Sequence, residues 1–409
     1  MADEWPIKTM NLYSYQSQGV EWLRSRSRAY LADEMGLGKT VQALVALHDV
    51  GSVTVVCPAA VVGNWYNEFE KWGSGQRVQV VSYASLHRLD GVGDAVVLDE
   101  AHYTKNHKAK RTQRALQHAR EAPRAYLLSG TPMPNHPGEL WTYFHYLHPD
   151  LLGDHIRTHY KWLNHFCKVR QTRFGPKVYG FKNAPELKAL LRGTMLRRKL
   201  ADVALDLPPL RVTSEVLPVD AKSFEDLLAQ EGETQLLQAL EDERDDPSIS
   251  RIRRLIGEWK APHIAARLDE ELKDGQLQKV VVLYHHRSVG DVLEDKLRSH
   301  GLVRFDGRTK PADRQKRVDQ FNTNPGVKVF LGQQTAAGEG LNLQSAHEAV
   351  LVEPAWTPDL NRQAIKRIHR IGQDNPCRAR VFSVAKTIDE AVMQAIADKT
   401  TIQEAVGLR

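Results

Sequence analysis

Cysteine is scarce. Cys57, Cys167 and Cys377 are the only three in 409 residues. They are odd in number, far apart and form no Cys-x-x-Cys pair, which excludes a disulfide framework and a zinc knuckle. A reducing cytosol fits such usage. No run approaches the roughly 18 apolar residues of a membrane-spanning helix. Met1-Ala2-Asp3-Glu4 offers neither a basic n-region nor an apolar h-region, so no signal peptide is expected and the expected compartment is the cytoplasm. Short solenoid repeats are absent, and so is an acidic excess. Fifty-six Lys and Arg face 50 Asp and Glu, a formal charge of +6. Such a balance suits a polyanionic partner, because neutralising phosphates releases counterions.

What is present is a rhythm. Hydrophobic residues make up 42% and charged residues 26%, normal for a protein with real cores. The length predicts two or three domains. Continuous apolar runs at Val53–Val56, Val78–Val81, Ala95–Leu98 and Ala125–Leu128 read as strands buried on both faces of a parallel sheet. Helix-compatible segments such as Val62–Trp72 and Lys108–Glu121 separate them. Alternation of this kind predicts an α/β fold, a sheet covered by helices. It returns at Val280–Tyr284, Val303–Phe305, Val327–Leu331, Ala349–Val352 and Ala379–Val384, with helices expected at Val289–Ser299 and Ala312–Asn322. Between the two sheets, residues of about 140–200 and 221–273 read as helical, with few strand-like runs. Asp206-Leu207-Pro208-Pro209-Leu210 is the expected boundary, giving domains 1–206 and 207–409 with a cleft between them.

Asp33-Glu34-Met35-Gly36-Leu37-Gly38-Lys39-Thr40 stands at the start of an expected helix, Val41–His48. Gly36 and Gly38 let the backbone pass close to a phosphate chain and present N–H groups at a helix N-terminus. Lys39 is expected on the β- and γ-phosphates of ATP and the Thr40 hydroxyl on Mg²⁺. The strict P-loop pattern has glycine where Asp33 stands. Asp99-Glu100-Ala101-His102 follows a buried run, so its carboxylates fall at the sheet's C-terminal edge, where open α/β folds bind ligands. Asp99 is expected to hold the Mg²⁺ hydration shell, and Glu100 to orient or deprotonate the attacking water.

Residues Gln363 to Gln373 read as a helix ending at Gly372. Gln363, Arg367 and Arg370 then fall at i, i+4 and i+7 on one face. Two arginines on one face suit neutralisation of a transferring phosphoryl, and an arginine finger is worth roughly 10³ to 10⁵ in rate. A solvated basic face is the alternative.

In this order, these residues resemble the Swi/Snf-type branch of helicase superfamily two, over nearly the whole chain. Leu12 to Leu23 looks like the family's opening segment, and Asp33 to Thr40 like its variant of the phosphate loop. Cys57-Pro58, Trp65, Trp72, Ser82-Tyr83, Asp99 to His102, Lys105-Asn106 and Ser129 to Pro132 with Asn135 follow. So do Met195 to Lys199, Asp306-Gly307, Phe321-Asn322, Gly340 to Leu343, Trp356 and Arg367 to Gln373. With Thr335-Ala336-Ala337, the chain looks similar to the annealing-helicase-like subfamily. The resemblance implies two RecA-like lobes with helical protrusions, ATP and Mg²⁺ as cofactors, and tracking on double-stranded DNA, forked or branched DNA included, usually without strand separation. It puts Gln16 at the adenine edge, and Met35, Leu37 and Gln363 beside the nucleotide. It puts Ser82, Tyr83, Lys105, Asn106, Ser129, Gly130, Thr131, Thr335, Gly338, Gly340 and Trp356 at the DNA. Ile365 and Lys366 stand where the family often has acidic residues, and Gln333-Gln334 replace a commoner Ser-containing stretch. No chromatin-reading, zinc-finger or nuclease segment is recognised, which suggests a minimal bacterial or viral form.

Other signals have plainer readings. His145, His148, His155, His159 and His165 crowd one region beside Cys167. His155 and His159 sit at i, i+4, a spacing that can clamp a metal, but no second ligand pair accompanies them and packing is the expectation. Arg24, Arg26 and Arg28, and the run Lys105, Lys108, Lys110 and Arg111, read either as helix faces or as phosphate contacts. Trp65 and Trp72 read as core. Two functions compete with a duplex-tracking ATPase: a strand-separating helicase of the same superfamily, and an ATP-gated DNA clamp without turnover.

Overall fold

The computed structural model describes residues 12–89, 91–172, 175–203, 207–217, 247–337, 341–370, 372–385 and 387–405. The chain opens with α1 (Ser14–Arg24), β1 (Arg28–Leu31), α2 (Lys39–Ala46), β2 (Ser52–Cys57), α3 (Val62–Trp72), β3 (Arg77–Ser82), β4 (Ala95–Asp99), α4 (Lys110–Glu121) and β5 (Arg124–Leu128). Then come α5 (Trp141–Leu147), α6 (His159–Phe166), β6 (Cys167–Thr172), β7 (Gly175–Phe181), α7 (Ala184–Thr194) and the two-residue β8 (Met195–Leu196). A second series holds β9 (Leu210–Leu217), α8 (Pro247–Lys273), β10 (Val280–Tyr284), α9 (Arg287–Leu297), β11 (Leu302–Phe305) and α10 (Pro311–Thr323). It closes with β12 (Val329–Gln333), α11 (Gln334–Ala337), β13 (Glu348–Leu351), α12 (Pro358–Ile365), β14 (Cys377–Val384) and α13 (Ile388–Ala405). The chain divides into two units, Met1–Leu205 with Ile402–Arg409, and Asp206–Thr401.

Each unit holds one six-stranded sheet, in the order β3-β2-β4-β5-β1-β8 and β11-β12-β10-β13-β14-β9. Every pairing in both sheets is parallel. The continuous apolar runs have a simple cause. Side chains alternate between faces, and helices cover both. Val53, Val55 and Val97 pack on the side of α1, α2 and α3, whereas Val56, Val96 and Leu98 pack on the side of α4 and α5. In the second sheet Val280, Val282 and Tyr284 join one core, and Val281 and Leu283 the other. Each such side chain, fully buried, stabilises by about 1.5–3 kcal/mol.

Three strands depart from the expectation. β1 has four residues directly behind the Arg24–Arg28 run, and β8 has two, paired Tyr30↔Met195 and Leu31↔Leu196. Both are too short to show a period. β9 lies at a sheet edge and alternates exposed and half-buried residues, so it lacks an apolar run. The stretch 140–200, expected as helical, also contains an antiparallel β6–β7 hairpin. Residues 221–246 of the second helical stretch lie outside the described residues, and 247–273 form the single helix α8.

Because the first sheet is parallel, the C-terminal ends of all its strands share one edge. β4, β5 and β1 are neighbours there. The segments that follow them, Glu100 onward, Ser129–Thr131 and Ala32–Gly38, therefore emerge side by side.

Candidate nucleotide and nucleic-acid site

The phosphate loop runs from the end of β1 to α2. Gly36 has φ +89° and Gly38, the residue capping α2, has φ +70°, a region that favours glycine. A Cβ on Gly38 would lie 2.5 Å from the Gln16 amide nitrogen, whereas one on Gly36 would meet nothing within 4 Å. One glycine thus serves packing and the other leaves the loop's outer surface open. The buried Gln16 amide donates to the Leu37 carbonyl (3.3 Å) and accepts from the Tyr13 N–H (3.1 Å). Lys39 Nζ donates to the carbonyls of Asp33 (2.8 Å) and Glu34 (3.4 Å), curling back over its own loop. Burial lowers its pKa, while Glu100, Asp33 and Asp99 oppose that shift. Triphosphate oxygens are natural replacements for those carbonyls, so the loop fits an anionic ligand.

Asp33 occupies the strict pattern's first glycine position for a visible reason. It is completely buried. Its Oδ1 accepts from the Arg198 backbone N–H and Nε (3.0 Å each), and its Oδ2 pairs with the Arg198 guanidinium and accepts from Gln42 Nε2 (3.1 Å). Arg198 also donates to Gln42 Oε1 (2.6 Å) and to the Tyr15 carbonyl. Gln42 in turn donates to the Leu37 carbonyl (3.1 Å). The loop is thereby tied to α1, α2 and the segment after β8. The sequence reading missed this role for Arg198, and a partner 165 residues away leaves no local signal.

Asp99 ends β4. Its Oδ2 accepts from the Trp65 indole N–H (2.8 Å), its Oδ1 from the Glu100 N–H (2.9 Å), and its carbonyl from the Tyr83 hydroxyl (2.9 Å). Burial and then the Glu100 charge push its pKa up, to about 6. Trp65 is core, as expected, and 1% exposed. It also holds the carboxylate, a role legible only once its polar tip has a partner. Glu100 adopts φ 47°, ψ 51°, a left-handed conformation that costs a non-glycine residue roughly 1–2 kcal/mol. Cost of this kind at a strand end marks a functional turn. Its Oε2 lies 3.2 Å from His102 Nδ1. The same nitrogen meets Ser129 Oγ (3.1 Å) and Thr131 Oγ1 (3.3 Å). One imidazole therefore joins the carboxylate turn after β4 to the hydroxyls after β5.

The residues expected at the DNA differ in exposure. Ser129 is fully buried, Gly130 is buried, Thr131 is 3% exposed and Tyr83 is 5% exposed. Their side chains turn inward, Tyr83 stacking on Tyr103 with ring centroids 5.3 Å apart. Gly130 lies against Met35, whose Cγ would be 2.7 Å from an added Cβ. Ser82 shares a hydrogen bond with Ser85 (2.7 Å). Lys105 pairs with half-buried Glu139 (3.3 Å), whose carboxylate also holds Asn135, while Asn106 is exposed. Half-buried Thr40 lies in the first turn of α2.

In the second unit the expected helix through Gly372 is not formed. α12 ends at Ile365, and Arg367 and Ile368 continue in tight turns onto Ala364 and Ile365. Gln363 is buried in α12, whereas Arg367 and Arg370 lie beyond it, so the three do not share a helical face. Two contacts draw the chain away from a straight helix. The Arg367 carbonyl accepts from the Leu343 N–H (3.0 Å), and Gln373 Nε2 donates to the carbonyls of Gln344, Ala346 and Ile368. Arg370 reaches the Leu341 carbonyl at 3.4 Å. Gln334 is buried on Asn361 (3.1 Å) and Thr335 is exposed. Trp356 packs in a small core with Arg253 over its ring at 5.6 Å. Gly338 and Gly340 lie outside the described residues.

Two arginines of the basic run have structural partners. Arg24 donates to the Val45 carbonyl at the end of α2 (2.9 Å), and Arg28 donates to the carbonyls of Arg120, Ala122 and Pro123 at the end of α4. His155 pairs not with His159 but with Glu186 (3.1 Å), whose second oxygen takes His165 (2.6 Å). His159 stacks on His107, centroids 3.8 Å apart. Among the described residues no helix is long and apolar enough to cross a membrane.

Residues 15–90 and 82–238 match the model of the SNF2-related domain, and residues 264–372 that of the helicase conserved C-terminal domain. The chain belongs to the SNF2-related family. The SNF2-related matches fall mostly in the first unit and the helicase C-terminal match lies in the second. It is 28% identical over 441 residues to the SWI/SNF-related matrix-associated actin-dependent regulator of chromatin subfamily A-like protein 1 homolog of Caenorhabditis elegans, covering 98% of this chain and 63% of that protein. It is also 28% identical over 442 residues to the DNA annealing helicase and endonuclease ZRANB3 of Mus musculus, covering 96% and 40%. The SNF2-related chain thus spans between two fifths and two thirds of these relatives' lengths. It is similar to the solved Sulfolobus solfataricus SWI2/SNF2 ATPase core in complex with dsDNA, at 22% identity and a TM-score of 0.44, covering 98% and 97%.

Proposed function

We propose that this chain is a motor that hydrolyses ATP when double-stranded DNA engages it and tracks along the duplex. The observation that carries the reading is the convergence at one sheet edge. Lys39 on its glycine loop, the Asp99–Glu100 turn and the Ser129–Thr131 segment emerge side by side, with His102 hydrogen-bonded to Ser129 and 3.2 Å from the Glu100 carboxylate. Gly36 and Gly38 admit the triphosphate, Lys39 exchanges loop carbonyls for phosphate oxygens, and Gln16 recognises the base. Thr40 and Asp99 would hold Mg²⁺, which when bound neutralises charge on the phosphate oxygens. Glu100 orients or deprotonates the attacking water. Arg367 and Arg370 of the second unit supply positive charge to the same reaction. DNA is favoured over other polyanions because a curated relative is named a DNA annealing helicase. Lys105, Asn106, Thr335 and Trp356 stay as proposed DNA-side residues. For Ser82, Tyr83 and Ser129 to Thr131 we propose transmission from DNA to Glu100 instead of direct contact.

The test is ATP turnover with duplex, single-stranded and forked DNA and with RNA, at stated salt. Duplex DNA is expected to raise turnover strongly, and Lys39→Ala, Glu100→Gln and Arg370→Ala to reduce it to background. Equal turnover with and without nucleic acid would overturn the reading.

A further inference from the structure

Between Asp154 and Glu186 the sequence has no acidic residue, while residues 155–185 carry seven Lys and Arg. At the centre of this stretch is the β6–β7 hairpin, a two-stranded antiparallel sheet separate from the six-stranded one. Its register sets Arg170 directly opposite Lys177, Val169 opposite Val178, and Lys168 opposite Gly180. Cys167 is buried and Val169 half-buried, so that face of β6 points inward. Lys168 and Arg170 belong to the other face, and both are exposed.

Two features count against a purely structural hairpin. Like charges directly opposite each other destabilise a strand pair, and a two-stranded sheet has little stability to spare. The register also leaves Tyr179 as an extra residue between Val178 and Gly180, at the bulge facing Lys168 and Val169. Bulges re-aim side chains, and Tyr179 is 64% exposed. Lys168's aliphatic stem runs over Gly180, its Cδ 3.2 Å from where a Cβ would stand. The result is an outward face with Lys168 and Arg170 exposed, Lys177 half-buried opposite Arg170, and an exposed aromatic ring beside them.

We propose that the outer face of this hairpin is a second nucleic-acid contact, outside the motor segments, in which Lys168, Arg170 and Lys177 take backbone phosphates and Tyr179 stacks on an unpaired base. The inference rests on the DNA-motor reading and deepens it, because a stacking residue has nothing to grip on fully paired DNA. The hairpin therefore reads the single-stranded part of a forked or gapped substrate. Each lost phosphate contact reduces the slope of log affinity against log salt by about 0.7 to 0.9, and loss of base stacking costs roughly five-fold or more at the unpaired site.

The experiment measures binding of the full chain to blunt duplex and to forked DNA by fluorescence anisotropy at several salt concentrations. Lys168→Gln with Arg170→Gln is expected to weaken forked-DNA binding about tenfold near 0.1 M salt and to flatten the salt slope by between about 1 and 2. Tyr179→Ala is expected to weaken forked DNA and leave blunt duplex unchanged. The charge-retaining pair Lys168→Arg with Arg170→Lys should bind as wild type does, which separates lost charge from a damaged hairpin. Wild-type affinity and slope in the glutamine variant overturn the hairpin proposal and leave the motor reading standing. A wild-type chain that binds neither DNA overturns both, as does binding to anionic phospholipid vesicles in preference to DNA.

Discussion

Asp33 and Arg198 form a buried charged pair whose parts cannot be removed singly. The carboxylate has no solvent access, and its partners are a forked guanidinium, a backbone N–H and the Gln42 amide. Arg198→Ala leaves a buried charge uncompensated, which costs about 3–5 kcal/mol. The phosphate loop loses its anchor at the same time, so the variant should melt lower and show a raised KM for ATP. Arg198→Lys should recover part of the stability, because a point charge cannot reproduce the two-pronged contact. Trp65 offers a gentler probe. Trp65→Phe keeps much of the ring volume and deletes the donor to Asp99. A hydrogen bond to a charged group is worth about 1.5–3 kcal/mol, so kcat should fall roughly ten-fold or more with the melting temperature changed little by comparison. Equal loss in kcat and stability would assign Trp65 to packing alone.

At the scale of elements, the basic run before the phosphate loop separates what sequence can and cannot reveal. Arginines near a site read equally well as phosphate contacts or as structure until their acceptors are known. Arg28 ends on three carbonyls at the close of α4, where a cation is favoured by the helix dipole. Arg28→Gln should therefore cost about 1 kcal/mol in urea unfolding and leave duplex affinity at the wild-type value. The buried strands were legible because two covered faces demand unbroken apolar runs. The glycine loop was legible because phosphate chemistry fixes spacing over a few residues. β1 and β8 were not, since four and two residues hold no period, and neither was β9, whose exposed edge needs no apolar face. The Gln363–Gly372 stretch has a helical pattern, yet long-range bonds from Gln373 and Leu343 end the helix at Ile365. Tertiary contacts override propensity where the two compete. Tyr83, Ser129 and Thr131 illustrate the same limit, since the family resemblance implies DNA contact for them and only the structure reveals their side chains on Asp99 and His102.

Taken as a whole, the molecule carries half-buried histidines in both units that set a shared acid limit. His148 accepts or donates at the Tyr143 hydroxyl (2.9 Å), and burial, with Arg28 adding to it, lowers its pKa to about 4. His285 lies among Arg253, His286 and Glu353, and burial again lowers its pKa to about 4. Both values are depressed below the ordinary 6.5 of an unfolded histidine. Above that pH neither state binds the proton and the histidines contribute nothing to the pH dependence. Between pH 6.5 and 4 the unfolded chain takes up a proton that the folded chain refuses, so stability falls as pH falls, by up to about 1.4 kcal/mol per pH unit for each histidine. Asp99 shifts the other way, its pKa being raised, and cannot produce loss beginning at pH 6.5 by this route. Calorimetry from pH 7.5 to 4.5 should show melting temperatures level above about 6.5 and falling below it. His148→Gln with His159→Gln should flatten that fall for the first unit, where burial also lowers the His159 pKa to about 4, and His285→Gln for the second, since a glutamine has no proton to take. If the two units melt as separate transitions, each substitution moves only its own. An unchanged acid slope in both variants would assign the acid loss to the carboxylates, and the half-buried imidazoles would then be neutral packing groups without a part in it.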